Sequence, residues 1–228
     1  MLNIIQQDKY IIVLDKPAGI SVLPEGWDES MPFLKKMLEK KFGRVWVVHR
    51  LDKITSGVMV FARTAEAHRH LNTQFEHREV EKAYHAIVED CPEWEEYTAQ
   101  HSLYANVGRK HRTVVDKHRG KRSVTDFTVI KQWHPFGHRL AHSMIKAQPK
   151  TGRTHQIRVH LSALGFPIVA DILYGAGKTD FIERPALHAK SLSFVHPSTK
   201  KHLSFSAPHP EDFENLIEKL NTQESSGQ

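Results

Sequence analysis

The residues that could do chemistry concentrate in one short stretch, His49-Arg50-Leu51-Asp52-Lys53-Ile54-Thr55-Ser56-Gly57. It places a carboxylate, Asp52, two positions after a guanidinium and just before a hydroxyl-rich turn. A nearby cation favours the ionised carboxylate, the form that a nucleophile or a general base requires. An isolated Arg-x-Asp is more often a structural salt bridge, so spacing alone leaves both roles open. His49, Asp52 and Ser56 are also hydrolase residue types, but no nucleophile elbow accompanies them. With a metal, His49 and Asp52 would instead suit a phosphoesterase.

A second concentration is electrostatic. The stretch from Arg109 to Arg122 contains Arg109, Lys110, Arg112, Lys117, Arg119, Lys121 and Arg122, two histidines, and a single carboxylate, Asp116. With little apolar periodicity it reads as an exposed basic loop that neutralises phosphates whatever their sequence, a solvated charge run being the alternative. The whole chain leans the same way: 32 Lys and Arg against 26 Asp and Glu give a net charge of +6. Such an excess suits a polyanionic partner as well as plain solubility. His134, His138 and His142 recur every fourth residue, yet Pro135 and Gly137 oppose the helix that would align them as ligands. No metal site is expected.

The elements that must position these residues follow from apolar patterning. Tyr10 to Leu14 reads as a strand stopped by the turn residues Asp15 to Gly19, and Ser30 as the cap of a helix ended by Gly43. Val45 to Val48 reads as a strand leading to His49, and Val58 to Ala62 as a buried strand, so Asp52 sits between two strands. Thr64 caps a helix carrying Ala67, Leu71 and Phe75, and Lys82 to Val88 resumes strand pattern with Tyr84 in it. Further strands are expected at 124–130, 140–147, 191–195 and 202–206. A helix is expected over Thr154 to Leu164, with Arg158 at the edge of its apolar stripe and Gly165 as its stop, and another around Phe213 to Leu220.

At 228 residues, 39% hydrophobic and 25% charged, the chain has the composition of a packed globular domain and not of a disordered one. The single cysteine, Cys91, excludes an internal disulfide framework and fits a reducing compartment. No signal-like leader and no apolar run near the ~20 residues of a membrane span are found. A cytoplasmic protein, not attached to membranes, is expected.

The stretch from His49 to Gly57 resembles the HRLDxxTSG motif of the RluA-type pseudouridine synthases, with every defining position filled. Lys16-Pro17-Ala18-Gly19 is similar to that family's KPxG element, and Lys150 to His160 to its TGRTHQIRVH block. Gly165-Phe166-Pro167-Ile168 and Leu187-His188-Ala189 match two later elements. The resemblance covers Lys16 to Pro208 in the family's order.

The resemblance implies an α+β pseudouridine synthase catalytic fold, with a central, mostly antiparallel mixed sheet, flanking helices and a cleft floored by Asp52. A single catalytic domain over 1–220 and a frayed polar tail over 221–228 are expected, with no room before Lys16 for a further RNA-binding domain. The implied reaction converts a uridine of structured RNA, transfer or ribosomal, to pseudouridine without a cofactor. Asp52 would be the nucleophile, Tyr84 would pack on the target base, and Arg158 would pair with the aspartate. Arg50 would fill the space the flipped nucleotide vacates and Leu187 would wall the base pocket. Arg153 and His155 would join the basic loop in binding RNA, and the expected form is a monomer without an obligatory protein partner. The rival from another class is a non-catalytic RNA-binding protein that kept the fold.

Overall fold

The computed structural model describes residues 2–24, 31–109, 111–134 and 140–225. In chain order the elements are β1 (Asn3–Gln7), β2 (Ile11–Lys16), α1 (Leu34–Phe42), β3 (Trp46–Val47), β4 (Ser56–Ala62), α2 (Ala65–His77), β5 (Glu81–Glu89), β6 (Glu96–Val107), β7 (Arg112–Val115) and β8 (Lys121–Trp133). There follow β9 (His142–Pro149), α3 (Gln156–Ala163), a 3-10 turn (Ile172–Tyr174), β10 (Leu187–Val195), β11 (His202–Ser206) and α4 (Glu211–Ser225). The class is α+β, as expected. The sequence reading takes 1–220 as one domain; packing groups the chain into two compact units, Met1–Lys82 with His188–Pro208, and Ala83–Leu187 with His209–Gln228. Among the described residues, no helix is long and apolar enough to cross a membrane.

In the first unit β4 is the centre. It pairs antiparallel with β2 and β3, and parallel with β10 through Ser56 to His188 and Gly57 to Ala189. All seven residues of β4 are buried, which explains its unbroken apolar run. Helix α2 starts where Thr64 Oγ1 accepts the Ala67 N–H at 3.1 Å, and buries Ala67, Leu71 and Gln74 at helical spacing. Gln74 is a buried amide that is fully used, for it donates to the Val195 carbonyl and accepts the Val195 N–H, both at 2.8 Å. Helix α1 ends at Gly43, whose φ of +75° suits a residue without a Cβ. Ser30, the expected cap, lies outside the described residues; the helix begins at Leu34.

In the second unit β5, β9, β8, β6 and β7 form an antiparallel run. Along β8 the buried residues Ser123, Thr125 and Phe127 alternate with more accessible ones, the signature of a sheet covered on one face. Two strands, β1 and β6, lack the apolar pattern that would have marked them; β6 buries only Ala99 and Leu103. The basic stretch is also more structured than a loop, since it contains β7 and the start of β8. Helix α4 buries Phe213, Leu216 and Leu220 in the unit's core, each contributing about 1.5–3 kcal/mol. It continues through Ser225 where fraying from Asn221 was expected, because Asn221 Oδ1 accepts from Trp133 Nε1 and Lys131 Nζ, both at 2.7 Å.

Candidate active site

Asp52 lies in the first unit on the turn between β3 and β4. Leu51 before it is buried, Asp52 is half-buried, and Arg50 is exposed. Three anchors fix this turn. The Asp52 carbonyl accepts the Thr55 N–H at 3.0 Å. The next carbonyl, that of Lys53, accepts from the Gly19 N–H at 2.8 Å and from Lys16 Nζ at 3.1 Å. Lys16 has no exposed surface, and its ammonium also donates to the Pro17 and Ile20 carbonyls, both at 2.9 Å. A buried charge survives when its hydrogens are taken up in this way. The Lys-Pro-Ala-Gly loop is therefore a clamp on the residue that follows Asp52.

The third anchor joins two further motifs. Gly57 has φ +119°, and a Cβ on it would stand 2.2 Å from the Ala189 carbonyl oxygen, so only glycine fits beside β10. One residue back, Ser56 Oγ and His188 Nδ1 are 3.0 Å apart, and His188 Nε2 faces the Ala207 carbonyl at 3.4 Å. A carbonyl can only accept, so Nε2 donates to Ala207 and Nδ1 is left to pair with the Ser56 hydroxyl. His49, at the start of the motif, is fixed to β4 and α2. Its Nε2 accepts the Val60 N–H at 3.1 Å, and its ring stacks on Phe75 with centroids 4.8 Å apart. Desolvation, aided by the Lys82 ammonium, pushes its pKa down to about 3, so His49 is a neutral acceptor and not a general acid.

Tyr84, Arg158 and the remaining candidates lie in the second unit. Tyr84 is half-buried on β5 opposite Ala147 and packs against the unit's core. Arg158 is only 4% exposed, on a helix buried from Gln156 to Leu161, where the sequence placed it at a stripe's edge. Its Nε and Nη2 donate to the two oxygens of Asp171, at 2.7 and 2.8 Å, and its guanidinium lies 4.8 Å from the Tyr174 ring centre. Asp171 has no exposed surface, so this fork is a buried, charge-assisted pair. Neither Asp171 nor Tyr174 was singled out from the sequence. The signal was available: a guanidinium on a buried helix requires an acid, and Asp171 follows closely.

Tyr174 also reaches the block before α3. Its hydroxyl accepts the Thr113 N–H at 2.8 Å and lies in hydrogen-bond contact with His155 Nδ1 at 2.8 Å, and burial raises its pKa. His155 caps α3 in a left-handed conformation, φ +54°, which starts the helix two residues after the expected Thr154. The cause is Gln156. Its side chain accepts from Thr151 Oγ1 and the Arg153 N–H and donates to Val124 and Thr125, tying the block to β8. Arg153 Nε points at the Arg122 carbonyl at 3.4 Å. Arg109, Arg112, Lys117, Arg119, Lys121 and Arg122 are exposed; Lys110 lies outside the described residues, as does His138. Leu187 is buried among Ala86, Ile87 and their neighbours as a core side chain.

The model of the family described as RNA pseudouridylate synthase matches residues 10–163. The chain belongs to this family. The synthase is 33% identical to ribosomal large subunit pseudouridine synthase D of Zymomonas mobilis, over 96% of the chain and 73% of that protein. It is 36% identical to ribosomal large subunit pseudouridine synthase D of Pseudomonas aeruginosa, over 96% of the chain and 72% of that protein. Among solved structures, human RNA pseudouridylate synthase domain containing 1 superposes with a TM-score of 0.77 at 28% identity, covering 97% of the synthase and 95% of that chain. The synthase is accordingly an isomerase, and its motif residues include the clamp of Lys16, Gly19, Ser56 and Gly57 around the Asp52 turn.

Proposed function

We propose that the chain isomerises a specific uridine of structured RNA to pseudouridine, with Asp52 as the nucleophile, Tyr84 packing on the target base and Arg158 as the cation of the site. The observation that carries the proposal is the fixed turn around Asp52. The bonds to the Asp52 and Lys53 carbonyls and to Ser56 fix the backbone that carries the Asp52 side chain, which limits where its carboxylate can go while the substrate moves and lowers the entropic part of the barrier. Ionised, the Asp52 carboxylate can add to the uracil ring or to the ribose anomeric carbon, and both routes need the same anion. The Asp171 fork holds the guanidinium of Arg158 in a fixed orientation.

The bond from the anomeric carbon to the ring nitrogen breaks, a bond to a ring carbon forms, that carbon loses a proton and the nitrogen gains one. Atoms and electrons balance, so the chemistry requires no redox carrier, metal or energy donor. The exposed cations of β7 and the turn before β8 give the RNA backbone its electrostatic partner, and Arg50 fills the place of the extruded nucleotide. The names of the two bacterial relatives favour ribosomal RNA over transfer RNA. The single cysteine, Cys91, fits a reducing compartment, and we propose a cytoplasmic protein acting as a monomer.

The test is formation of pseudouridine in cellular RNA by the purified protein in the presence of a chelator, and in the Asp52→Asn variant. The proposal expects product from the first and none from the second while RNA binding persists. RNA binding without product in either protein would support a non-catalytic member of the family.

A further inference from the structure

The basic segment holds one pair of side chains that phosphate neutralisation does not explain. Asp116 closes a tight turn. Its Oδ1 accepts the N–H groups of His118 at 2.9 Å and Arg119 at 3.0 Å, and its carbonyl accepts the Gly120 N–H at 2.9 Å. Its own N–H donates to the Ser102 carbonyl of β6 at 2.9 Å. Gly120 is needed here, because a Cβ would stand 2.3 Å from the Asp116 oxygen and 2.5 Å from the Ser102 carbonyl carbon. The turn is thereby fixed to β6 two residues before Tyr104.

The result is a fixed arginine. Asp116 Oδ2 accepts Arg119 Nε at 2.8 Å, and the guanidinium lies over the Tyr104 ring, its carbon 4.6 Å from the centroid. The hydrogen bonds from Arg119 and His118 hold the Asp116 carboxyl below its ordinary range, so the clamp is charged at neutral pH. A cation that only meets phosphates needs no such fixing. Even so, the Arg119 side chain is 65% exposed and Tyr104 is 37% exposed. The guanidinium is thus held over the tyrosine ring while both side chains keep surface open to solvent. Arg112, Lys117, Lys121 and Arg122, all exposed, stand in the same segment.

From this geometry we infer that Tyr104 and Arg119 form a stacking platform for one unpaired base of a single-stranded RNA segment, while the neighbouring cations hold its phosphates. The inference rests on the reading that the partner is RNA. It names a flanking base and not the target uridine, whose partner is Tyr84. Bases stack on guanidinium planes and on aromatic rings without regard to sequence, and a platform already ordered by Asp116 loses little entropy on binding. The pair would widen the RNA footprint beyond the isomerised nucleotide and give that flank a preference for single strand over duplex.

The test is the affinity of a single-stranded RNA 12-mer, read by fluorescence anisotropy, for the intact protein and the variants Tyr104→Leu, Tyr104→Phe and Arg119→Lys, together with their melting midpoints. Stacking predicts roughly ten-fold weaker binding for Tyr104→Leu and for Arg119→Lys, and near-native binding for Tyr104→Phe. The loss should vanish on an abasic 12-mer, and the salt slope of Arg119→Lys should match the native one because the charge is kept. Native affinity in Arg119→Lys at an unchanged melting midpoint, or an equal loss on the abasic strand, overturns the platform. Pseudouridine formation by the native protein is scored separately: no product with the platform losses intact would sink the isomerase reading alone, and product with native affinity in every variant would sink the platform alone.

Discussion

Replacing Gly57 by alanine perturbs the structure at the seam between the motif that carries Asp52 and strand β10. Two costs add. Gly57 has φ +119°, a conformation that costs an L-residue about 1–3 kcal/mol. The new Cβ would stand 2.2 Å from the Ala189 oxygen, 2.7 Å from its nitrogen and 2.8 Å from its carbonyl carbon. These are backbone atoms, which cannot swing aside, so relief requires opening the parallel pairing of Ser56 with His188 and Gly57 with Ala189. Overpacking of this kind costs about 1–3 kcal/mol, giving about 2–6 kcal/mol in total. Gly19→Ala is the control. Gly19 also has a positive φ, +85°, but nothing lies within 4 Å of its would-be Cβ, so only the backbone cost of about 1–3 kcal/mol applies. Urea unfolding of both variants reads the difference, and Gly57→Ala should also slow pseudouridine formation because the Ser56 anchor moves. Equal losses in the two variants, or a Gly57→Ala loss below about 0.5 kcal/mol, would refute the argument from close approach.

Other consequences are testable in the same preparation. Arg158→Ala leaves Asp171 buried without its guanidinium and should cost about 3–5 kcal/mol in urea unfolding, with part recovered in the double variant Arg158→Ala, Asp171→Ala. His160 is buried, and desolvation, with His101 adding to it, lowers its pKa to about 4. The unfolded chain then binds more protons than the folded one below about pH 6.5, so stability is full above that value and falls as the pH drops towards about 4. Each such histidine contributes a slope of at most about 1.4 kcal/mol per pH unit, and His160→Gln should flatten the measured stability curve in that window. Exchanging Arg112, Lys117 and Lys121 for glutamine should reduce the slope of log affinity against log salt by up to about 2.1–2.7, since each lost phosphate contact removes about 0.7–0.9; an unchanged slope would place the RNA elsewhere.

Much of the fold was legible where its causes are local. The apolar runs that became β2 and β4, the alternation of β11, the Thr64 cap and the Gly43 stop depend on residues within a few positions of one another. Features set by distant partners were not. Helix α3 starts at Gln156 because that side chain bonds to β8, and α4 outlasts its apolar stripe because Trp133 and Lys131 hold Asn221. Strand β6 carries polar residues on its accessible face and so lacked a signature. The family resemblance named Asp52, Tyr84 and Arg158 as expected site residues, but the physical reasons for the other positions of its motifs needed three dimensions. Lys16 serves the Lys53 carbonyl, Gly57 makes room for Ala189, and Asp171 matches a guanidinium thirteen residues away.

The central claim, that the Asp52 carboxylate does the chemistry, is tested most directly by tritium release from RNA labelled at the uracil carbon that loses its proton. The account predicts steady release by the native protein, and none by Asp52→Asn at an RNA concentration where binding of that variant is shown to be complete. Release by Asp52→Asn at the native rate would contradict it.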